Sequence, residues 1–251
     1  MLVQGLWADK DSVLLQLPHF TPELAQRCAA GGGDEEEEMK GAAAAAPVES
    51  VFDVMEMEDG ARRRLLRLGE AELADVARFC NRFPSINVRF EVAAGDASAA
   101  GGGAAEGEGA VPPAVQCAAG DTVSVVVTLE RDASTEGMEE GAGVGAVFAP
   151  LFPAPKSEGW WVVVGQPGAN AILAIKRVAL AQRLSVTLEF PAPAPAGGAG
   201  AEQLVKAQVL LISDAYLGVD QEYALELLVS PAREEAGAGA GDGDGAEEAM
   251  R

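Results

Sequence analysis

The spacing of apolar residues predicts that the first third of the chain is helical. Leu73, Val76, Ala77 and Cys80 recur at i, i+3, i+4 and i+7, which predicts a helix from about Glu70 with one apolar face. Three earlier helices are also predicted. The first begins at Thr21-Pro22-Glu23, where a threonine cap is followed by proline. The second is indicated by apolar residues at helical spacing, and the third is a short helix from a cap at Asp59 to Leu66; the apolar residues of the second are Val48, Val51, Phe52 and Met55.

After Pro84 the period of the apolar residues changes from 3.6 to 2. Ile86, Val88 and Phe90 alternate with polar residues, which is typical of a half-buried strand. Six more such runs follow with no helical pattern between them, so we expect antiparallel pairing and exclude parallel βαβ units. Seven strands in about 100 residues is the size of an immunoglobulin-like or fibronectin-like sandwich. The later runs are 123–129, 160–164, 171–178, 184–190, 205–213 and 223–229.

The predicted fold class is therefore α+β, with a small helical unit that resembles a helix-hairpin-helix followed by a seven-stranded antiparallel sandwich. Five segments interrupt it, which hold 21 of the 30 glycines and none of the 13 Phe, Trp or Tyr residues. Without aromatic side chains they bury too little surface to offset the entropy of ordering, so they are predicted to be disordered. The predicted units are 1–84 (helical, insert 29–46), 85–231 (sandwich, inserts 93–116, 132–143 and 191–203) and an acidic tail, 232–251.

Charge and cysteine content narrow the classes of function. The 251-residue chain has a net charge of −21, of which the five segments carry −16 and the foldable part −5, so no global field attracts phosphate. No run approaches the ~18 apolar residues of a membrane span, and the first ten residues lack a signal-peptide core. Cys28, Cys80 and Cys117 are far apart and odd in number, which favours a reducing compartment. We expect a soluble, intracellular protein.

The sequence offers no set of catalytic residues. His19 is the only histidine, and no glycine is followed by lysine, so the chain has no histidine pair and no Walker A loop. We therefore predict no enzyme activity, no cofactor, no metal and no small-molecule ligand.

Two adjacent tryptophans are the candidate residues for contact with a partner protein. Trp160 and Trp161 lie on one predicted strand, so their side chains must point to opposite faces. One belongs in the core; the other either anchors an interface or packs under a loop or against the helical unit. Farther along the chain, Asp214 is interpreted as a turn residue and Gly218 as a residue with positive φ.

A basic cluster on the third predicted helix is a weak candidate for RNA contact. It consists of Arg62, Arg63, Arg64 and Arg67, and it is followed by a turn whose Glu70 would repel phosphate. The main interpretation is a solvated helix face, and the alternative is a phosphate contact. Nearby acids also neutralise the arginines, namely Glu56, Glu58, Asp59 and Glu72.

Six stretches, taken in order, resemble the C-terminal part of the Sec63 homology unit as found in the large two-cassette RNA helicase of the spliceosome. The resemblance covers nearly all of the foldable residues, and one departure is Val219, where the family usually has cysteine. The stretches are Gln16 to Thr21, Val51 to Glu58, Ala74 to Pro84, Ala149 to Pro153, Glu158 to Val163 and Ser213 to Tyr223.

The resemblance implies a helical bundle, then a helix-loop-helix element, then an immunoglobulin-like sandwich. This chain looks as if it starts at the end of the bundle, in residues 2–15, and it has no counterpart of the bundle helix that touches the translocating strand or of the two motor domains. The helicase's ATP hydrolysis and its unwinding of the U4/U6 RNA duplex therefore map onto no residue here.

The leading hypothesis is a non-catalytic accessory and protein-interaction region of a spliceosomal RNA helicase, located in the nucleus. Its expected partners are spliceosomal proteins and the motor cassettes of the helicase. Alternatives are an RNA-binding helical module using Arg62 to Arg67, the Sec63 unit of an endoplasmic-reticulum translocon component, and that of the activating-cointegrator helicase.

Overall fold

The computed structural model describes residues 3–31, 46–95, 103–106, 113–132, 146–194 and 202–232. Most of the five Ala/Gly-rich segments, with the disorder predicted for them, lies outside these residues. Within them, helices come first and strands second, so the α+β class predicted from periodicity is confirmed.

The described chain contains four α-helices and a 3-10 helix before its first strand. The predicted start of the first α-helix is confirmed, since the Thr21 hydroxyl accepts a hydrogen bond from the N–H of Leu24 at 3.3 Å and Pro22 opens the helix. The bounds are Val13–Gln16 for the 3-10 helix, Pro22–Ala29 for α1, Val51–Glu56 for α2, Asp59–Leu66 for α3 and Glu70–Cys80 for α4.

Two helix signals differ from the prediction. Asp59 is the first residue of α3 and makes no cap hydrogen bond, because the cap position falls on Glu58. A capping box that the sequence analysis missed begins α2, where Ser50 accepts from the N–H of Asp53 and the carboxylate of Asp53 accepts from the N–H of Ser50.

The apolar face of α4 is rotated relative to the predicted one. Val76 and Cys80 are buried as expected, but Ala77 is exposed and Phe79 is buried in its place. The ring of Phe79 packs against Tyr216 in the strand region, with ring centroids 6.1 Å apart. The large aromatic side chain gains more from burial than the small alanine, so it sets the direction that faces the sheets.

All seven predicted runs form strands, and two further short strands bring the described total to nine. Along β7 the predicted alternation is confirmed, since Val186, Leu188 and Phe190 are buried while Ser185 and Glu189 are exposed. The strands are β1 Ile86–Ala94, β2 Gly103–Glu106, β3 Val115–Ala118, β4 Thr122–Arg131, β5 Trp160–Gln166, β6 Ala171–Val178, β7 Arg183–Pro191, β8 Gln203–Ser213 and β9 Gln221–Ser230.

The strands form two sheets, ordered β2-β1-β4-β7 and β3-β9-β8-β5-β6. The described pairs are antiparallel with one exception, the parallel pair of β3 and β9. The expectation of purely antiparallel pairing is therefore wrong at β3. The β3–β9 pair is long-range, so no turn between the two strands fixes their relative direction.

Segment 93–116 was predicted to be disordered throughout, and this is wrong at both of its ends and in its middle. β1 continues to Ala94, β2 pairs with β1 through residues 103–106, and β3 begins at Val115. The absence of aromatic residues did not exclude these strands, because the hydrogen bonds between strands are made by the backbone and need no aromatic side chain. In addition, Val115 supplies a fully buried aliphatic side chain. Pro191 and Gln203 likewise belong to strands, at the edges of segment 191–203.

A buried ion pair connects the two sheets. Arg131, the last residue of β4, donates from its guanidinium to Glu158, which lies just before β5; both side chains are almost fully buried. The same carboxylate oxygen accepts a 2.7 Å hydrogen bond from Nε1 of Trp160, and Nε of Arg131 donates to the carbonyl of Ala181 at 3.2 Å. The pair thus links β4, β5 and the connection between β6 and β7.

Buried glutamines tie the first residues of the chain to the turn between β8 and β9. The amide of Gln16 donates to the carbonyl of Leu217 at 2.9 Å and accepts from the N–H of the same residue at 3.1 Å. Gln4 donates to the carbonyl of Ala215 at 2.9 Å. Since the buried side chains of helices and sheets also belong to one hydrophobic cluster, the helical part packs against the sheets.

We expect Arg131→Met to lower the free energy of unfolding by roughly 3–5 kcal/mol, because it leaves the carboxylate of Glu158 buried and unpaired. Urea denaturation followed by tryptophan fluorescence measures this. The double variant Arg131→Met with Glu158→Leu should lose less than the sum of the single changes. Arg183→Met, on the exposed side of β7, is the matched control and should change stability by less than about 0.5 kcal/mol. A loss below about 1 kcal/mol for Arg131→Met contradicts the role given to the pair.

Gln16→Ala should cost roughly 2–4 kcal/mol, because two buried backbone groups of Leu217 lose their partner. Hydrogen exchange provides a local measurement. In Gln16→Ala, the amide of Leu217, in the turn after β8, should lose more protection relative to the wild type than the amides of β8 do. Gln182→Ala, at an exposed glutamine, is the control. Unchanged protection of Leu217 in Gln16→Ala would show that the glutamine does not hold this turn.

Candidate protein-interaction face

The two adjacent tryptophans point to opposite faces of β5, as predicted. Trp160 is fully buried and lies in the core, whereas Trp161 is 37 % exposed on the outer face of the five-stranded sheet. Of the two candidate residues for protein contact, only Trp161 therefore offers surface to a partner. Its ring is covered on one side by Arg177, whose guanidinium carbon lies 5.9 Å from the ring centroid, within cation–π range.

An apolar surface surrounds Trp161. In β5, Trp161 pairs with Ile212 of β8, and Val163 pairs with both Leu210 of β8 and Ile175 of β6. Directly paired residues point to the same side of a sheet, so these side chains share the outer face. We call this surface the tryptophan face: Trp161, Val163, Ile172, Ile175, Leu210 and Ile212.

A β-bulge adds Ile172 to the tryptophan face. The pairing of β5 with β6 shifts by one residue between Val164 and Gly165, so that Gly165 pairs with Ile172 and Leu173 is the extra residue. Without the bulge, Ile172 would alternate to the face opposite that of Ile175. With it, Ile172 and Ile175 lie on the same face as Trp161, and they are 66 % and 49 % exposed.

Asp214, interpreted from the sequence as a turn residue, is also the centre of an ionic cluster at one end of this face. Its carboxylate accepts from Lys156 at 2.8 Å, from Arg177 at 2.5 Å and from the N–H of Gly159 at 2.9 Å. A Cβ at Gly159 would lie 2.7 Å from both the Asp214 carboxylate and the Arg177 guanidinium, so only glycine fits there. The positive φ predicted for Gly218 is confirmed at +78°.

Partial burial alone would raise the pKa of Asp214, but the hydrogen bonds and charges of Lys156 and Arg177 outweigh it and lower the pKa. The carboxylate therefore stays charged at neutral pH and holds Arg177 over the ring of Trp161. Sequence reasoning did not find this cluster, because its members lie 21 and 37 residues apart. The sequence indicated a turn at Asp214 and gave no sign of its ionic partners.

Most of the basic cluster on α3 is engaged within the protein. Arg62 donates to the carbonyls of Val54 at 3.0 Å and Met57 at 2.7 Å, and its guanidinium pairs with Asp59. Arg63 pairs with Glu70. Arg64 is exposed, and Arg67 ends α3 with a φ of +52°. This arrangement favours the interpretation as a helix face over that of a phosphate site, since the guanidiniums of Arg62 and Arg63 hold local contacts.

The other candidate chemistry is structural. The three cysteines are free and buried, and burial raises the pKa of the Cys80 thiol to about 11. His19 contacts Asp75 at 2.7 Å between Nε2 and Oδ2. Within the described ranges there is no group of three or more His, Cys, Asp or Glu residues placed to hold a metal ion, and no helix long and apolar enough to cross a membrane.

Comparison with known proteins gives one family. The family model described as the Sec63 Brl domain matches residues 1–226. The chain is 39 % identical over 236 residues, 94 % of its length, to the U5 small nuclear ribonucleoprotein 200 kDa helicase of Drosophila melanogaster. It is 40 % identical over 225 residues (89 %) to the DExH-box ATP-dependent RNA helicase DExH13 of Arabidopsis thaliana, and 32 % identical over 227 residues (90 %) to the pre-mRNA-splicing factor brr2 of Schizosaccharomyces pombe. The chain spans only 8–9 % of the length of these relatives.

Because the folded protein lowers the pKa of Asp214, this carboxylate contributes stability above its unfolded pKa of about 4, and the contribution is lost as the pH falls through the folded value. We expect Asp214→Asn to destabilise the protein at pH 7 and to differ less from the wild type as the pH drops below about 4. Urea midpoints measured across this range test the prediction, with the exposed Glu189→Gln as control. A difference that does not depend on pH would show that the loss comes from packing alone.

Proposed function

Because the chain belongs to the Sec63 Brl domain family, we propose that it is a non-catalytic accessory region of a spliceosomal RNA helicase that binds partner proteins. The observation that carries this proposal is the tryptophan face, an apolar surface on which two large exposed isoleucines share one side of the sheet with Trp161, whose ring lies under Arg177. Contiguous exposed apolar surface of this kind marks interaction sites in soluble proteins.

The sequence relationship supports the cellular setting of the proposal. The relatives include a U5 small nuclear ribonucleoprotein helicase and a pre-mRNA-splicing factor. We infer that the chain acts in the nucleus, in pre-mRNA splicing, with spliceosomal proteins and the motor cassettes of a helicase as its partners. The chain matches a small part of each relative, and ATP-dependent unwinding belongs in this proposal to the rest of the helicase.

We further propose a division of the architecture into a helical unit, 1–84, an immunoglobulin-like or fibronectin-like sandwich, 85–231, and an acidic tail, 232–251. The support is that α4 ends at Cys80, β1 begins at Ile86, and the two sheets share buried side chains. The α3–α4 pair, joined by Arg67 to Gly69, is the proposed helix-hairpin-helix element. In this arrangement the tryptophan face lies on the outer surface of the sandwich.

The proposal is tested by affinity capture of the tagged 251-residue chain from nuclear extract, with and without nuclease, read by mass spectrometry. We expect helicase-associated spliceosomal proteins to be captured in the presence of nuclease. Trp161→Ala and Ile175→Glu should reduce their recovery at least about fivefold, because both remove apolar contact surface. Leu204→Glu provides the matched control, since Leu204 is an exposed leucine on β8, outside the tryptophan face.

Two outcomes would contradict the proposal. Capture that is lost with nuclease and depends on Arg64 and Arg67 would favour the alternative, an RNA-binding helical module whose affinity falls steeply with salt. RNA-dependent ATP hydrolysis by the purified chain would contradict the non-catalytic role.

A further inference from the structure

Strand β6 differs from the other strands in its burial. Among the strands whose side chains the structure describes, it alone has no buried residue. It is also the last strand of the five-stranded sheet, hydrogen-bonded within that sheet to β5. Among the residues that the structure describes, no strand pairs with its other edge.

The sequence of β6 is that of a good pairing strand. It reads Ala-Ile-Leu-Ala-Ile-Lys-Arg-Val and contains no proline, and its β-branched and long aliphatic residues favour extended structure. Proteins usually protect such edges with proline, with charges or with a covering loop. Here charge is confined to Lys176 and Arg177 at one end, while the other end, around Ile172, is apolar and exposed.

The exposure of Ile172 follows from a glycine opposite it. Gly165 on β5 is buried and pairs with Ile172, and a Cβ added at Gly165 would meet only the carbonyl oxygen of Ala171, at 3.8 Å. Because Gly165 has no side chain, Ile172 has no cross-strand side chain on β5 to pack against and stays 66 % exposed. A strand laid along β6 would place every second side chain on the side of the tryptophan face.

The charge around β6 is opposite to that of the whole chain. Residues 159–188 contain no Asp or Glu, although the chain has 39 of them, and they contain Lys176, Arg177 and Arg183. Arg177 is held by Asp214, whereas the ammonium of Lys176 donates to a backbone carbonyl, that of Thr187 at 2.5 Å, and is within salt-bridge distance of no carboxylate among the described residues. Lys176 pairs with Val162, so it lies on the opposite side of β6 from the tryptophan face.

We propose that β6 is a strand-addition site, which takes an extended peptide of alternating apolar and acidic residues as a sixth strand of the sheet. The apolar side chains of the peptide lie on the side of the tryptophan face, next to Ile172 and Ile175. Its acidic side chains point to the other side, beside Lys176. Backbone hydrogen bonds supply affinity and the two faces supply selectivity. This inference rests on the proposed function and specifies the chemistry of the partner.

The probe is an acetylated eight-residue peptide amide in which valine or isoleucine alternates with glutamate, titrated into the full isotope-labelled chain and followed by NMR. We expect shifts and slowed exchange at the amides of β6. A version with backbone N-methyl groups at alternate residues, which cannot pair along a strand, should lose binding, and a version with lysine for glutamate should bind at least about tenfold more weakly.

Variants of the chain locate the site. Ile172→Lys and Lys176→Glu should each weaken binding of the glutamate peptide about tenfold, the first by removing apolar contact and the second by charge repulsion. Both side chains are exposed, so both variants should fold, which their urea midpoints check. Leu204→Lys, on the same sheet but away from β6, should bind as the wild type does.

Three results would overturn the proposal: no binding of the glutamate peptide, equal binding of the N-methylated peptide, or equal binding by Ile172→Lys. A dimer that depends on Ile172 in ultracentrifugation, together with no peptide binding, would assign the edge to a second copy of the chain. If nuclear capture still depends on Trp161 while the peptide fails, strand addition is wrong and the protein-interaction function stands. If both fail, the proposed function falls as well.

Discussion

The buried pair of Arg131 and Glu158 determines much of the arrangement of the strands. Neither charge tolerates the low-dielectric interior without its partner, so the end of β4 and the residues before β5 must lie together across the two sheets. The same carboxylate accepts the indole N–H of Trp160 and directs that side chain inward. Because successive residues of a strand alternate, Trp161 must then point outward. The orientation of the tryptophan face thus follows from an ion pair that is almost fully buried.

Two local irregularities make this outer face suitable for binding. The bulge at Leu173 brings Ile172 to the same side as Ile175, and the missing side chain of Gly165 leaves Ile172 without a cross-strand side-chain neighbour on β5. At the other end, the close approach of Gly159 to Asp214 positions Arg177 over Trp161. Bulges and glycines in strands are common where a protein presents a surface to another molecule.

Membership of the Sec63 Brl domain family agrees with a protein that works through its surface. The candidate chemistry of the described residues is structural, with buried thiols and arginines on α3 that hold local carbonyls and carboxylates. In a strongly acidic chain, the stretch from 159 to 188 is free of acids and forms much of the tryptophan face. Its composition therefore distinguishes the proposed interaction surface from the rest of the molecule, and this signal is visible in the sequence alone.

Local sequence predicts the helices, the seven long strands and the opposite orientation of the two tryptophans, because each depends on residues close together in the chain. Which tryptophan is buried becomes clear only in the folded protein, since it depends on Arg131, 29 residues before Trp160. The parallel pairing of β3 with β9, the ordering of β2 and the role of Asp214 likewise follow from contacts between distant segments. Local periodicity reports which faces of an element are apolar. It carries no information about which distant segment covers them, because that choice is made by packing and pairing across the whole chain.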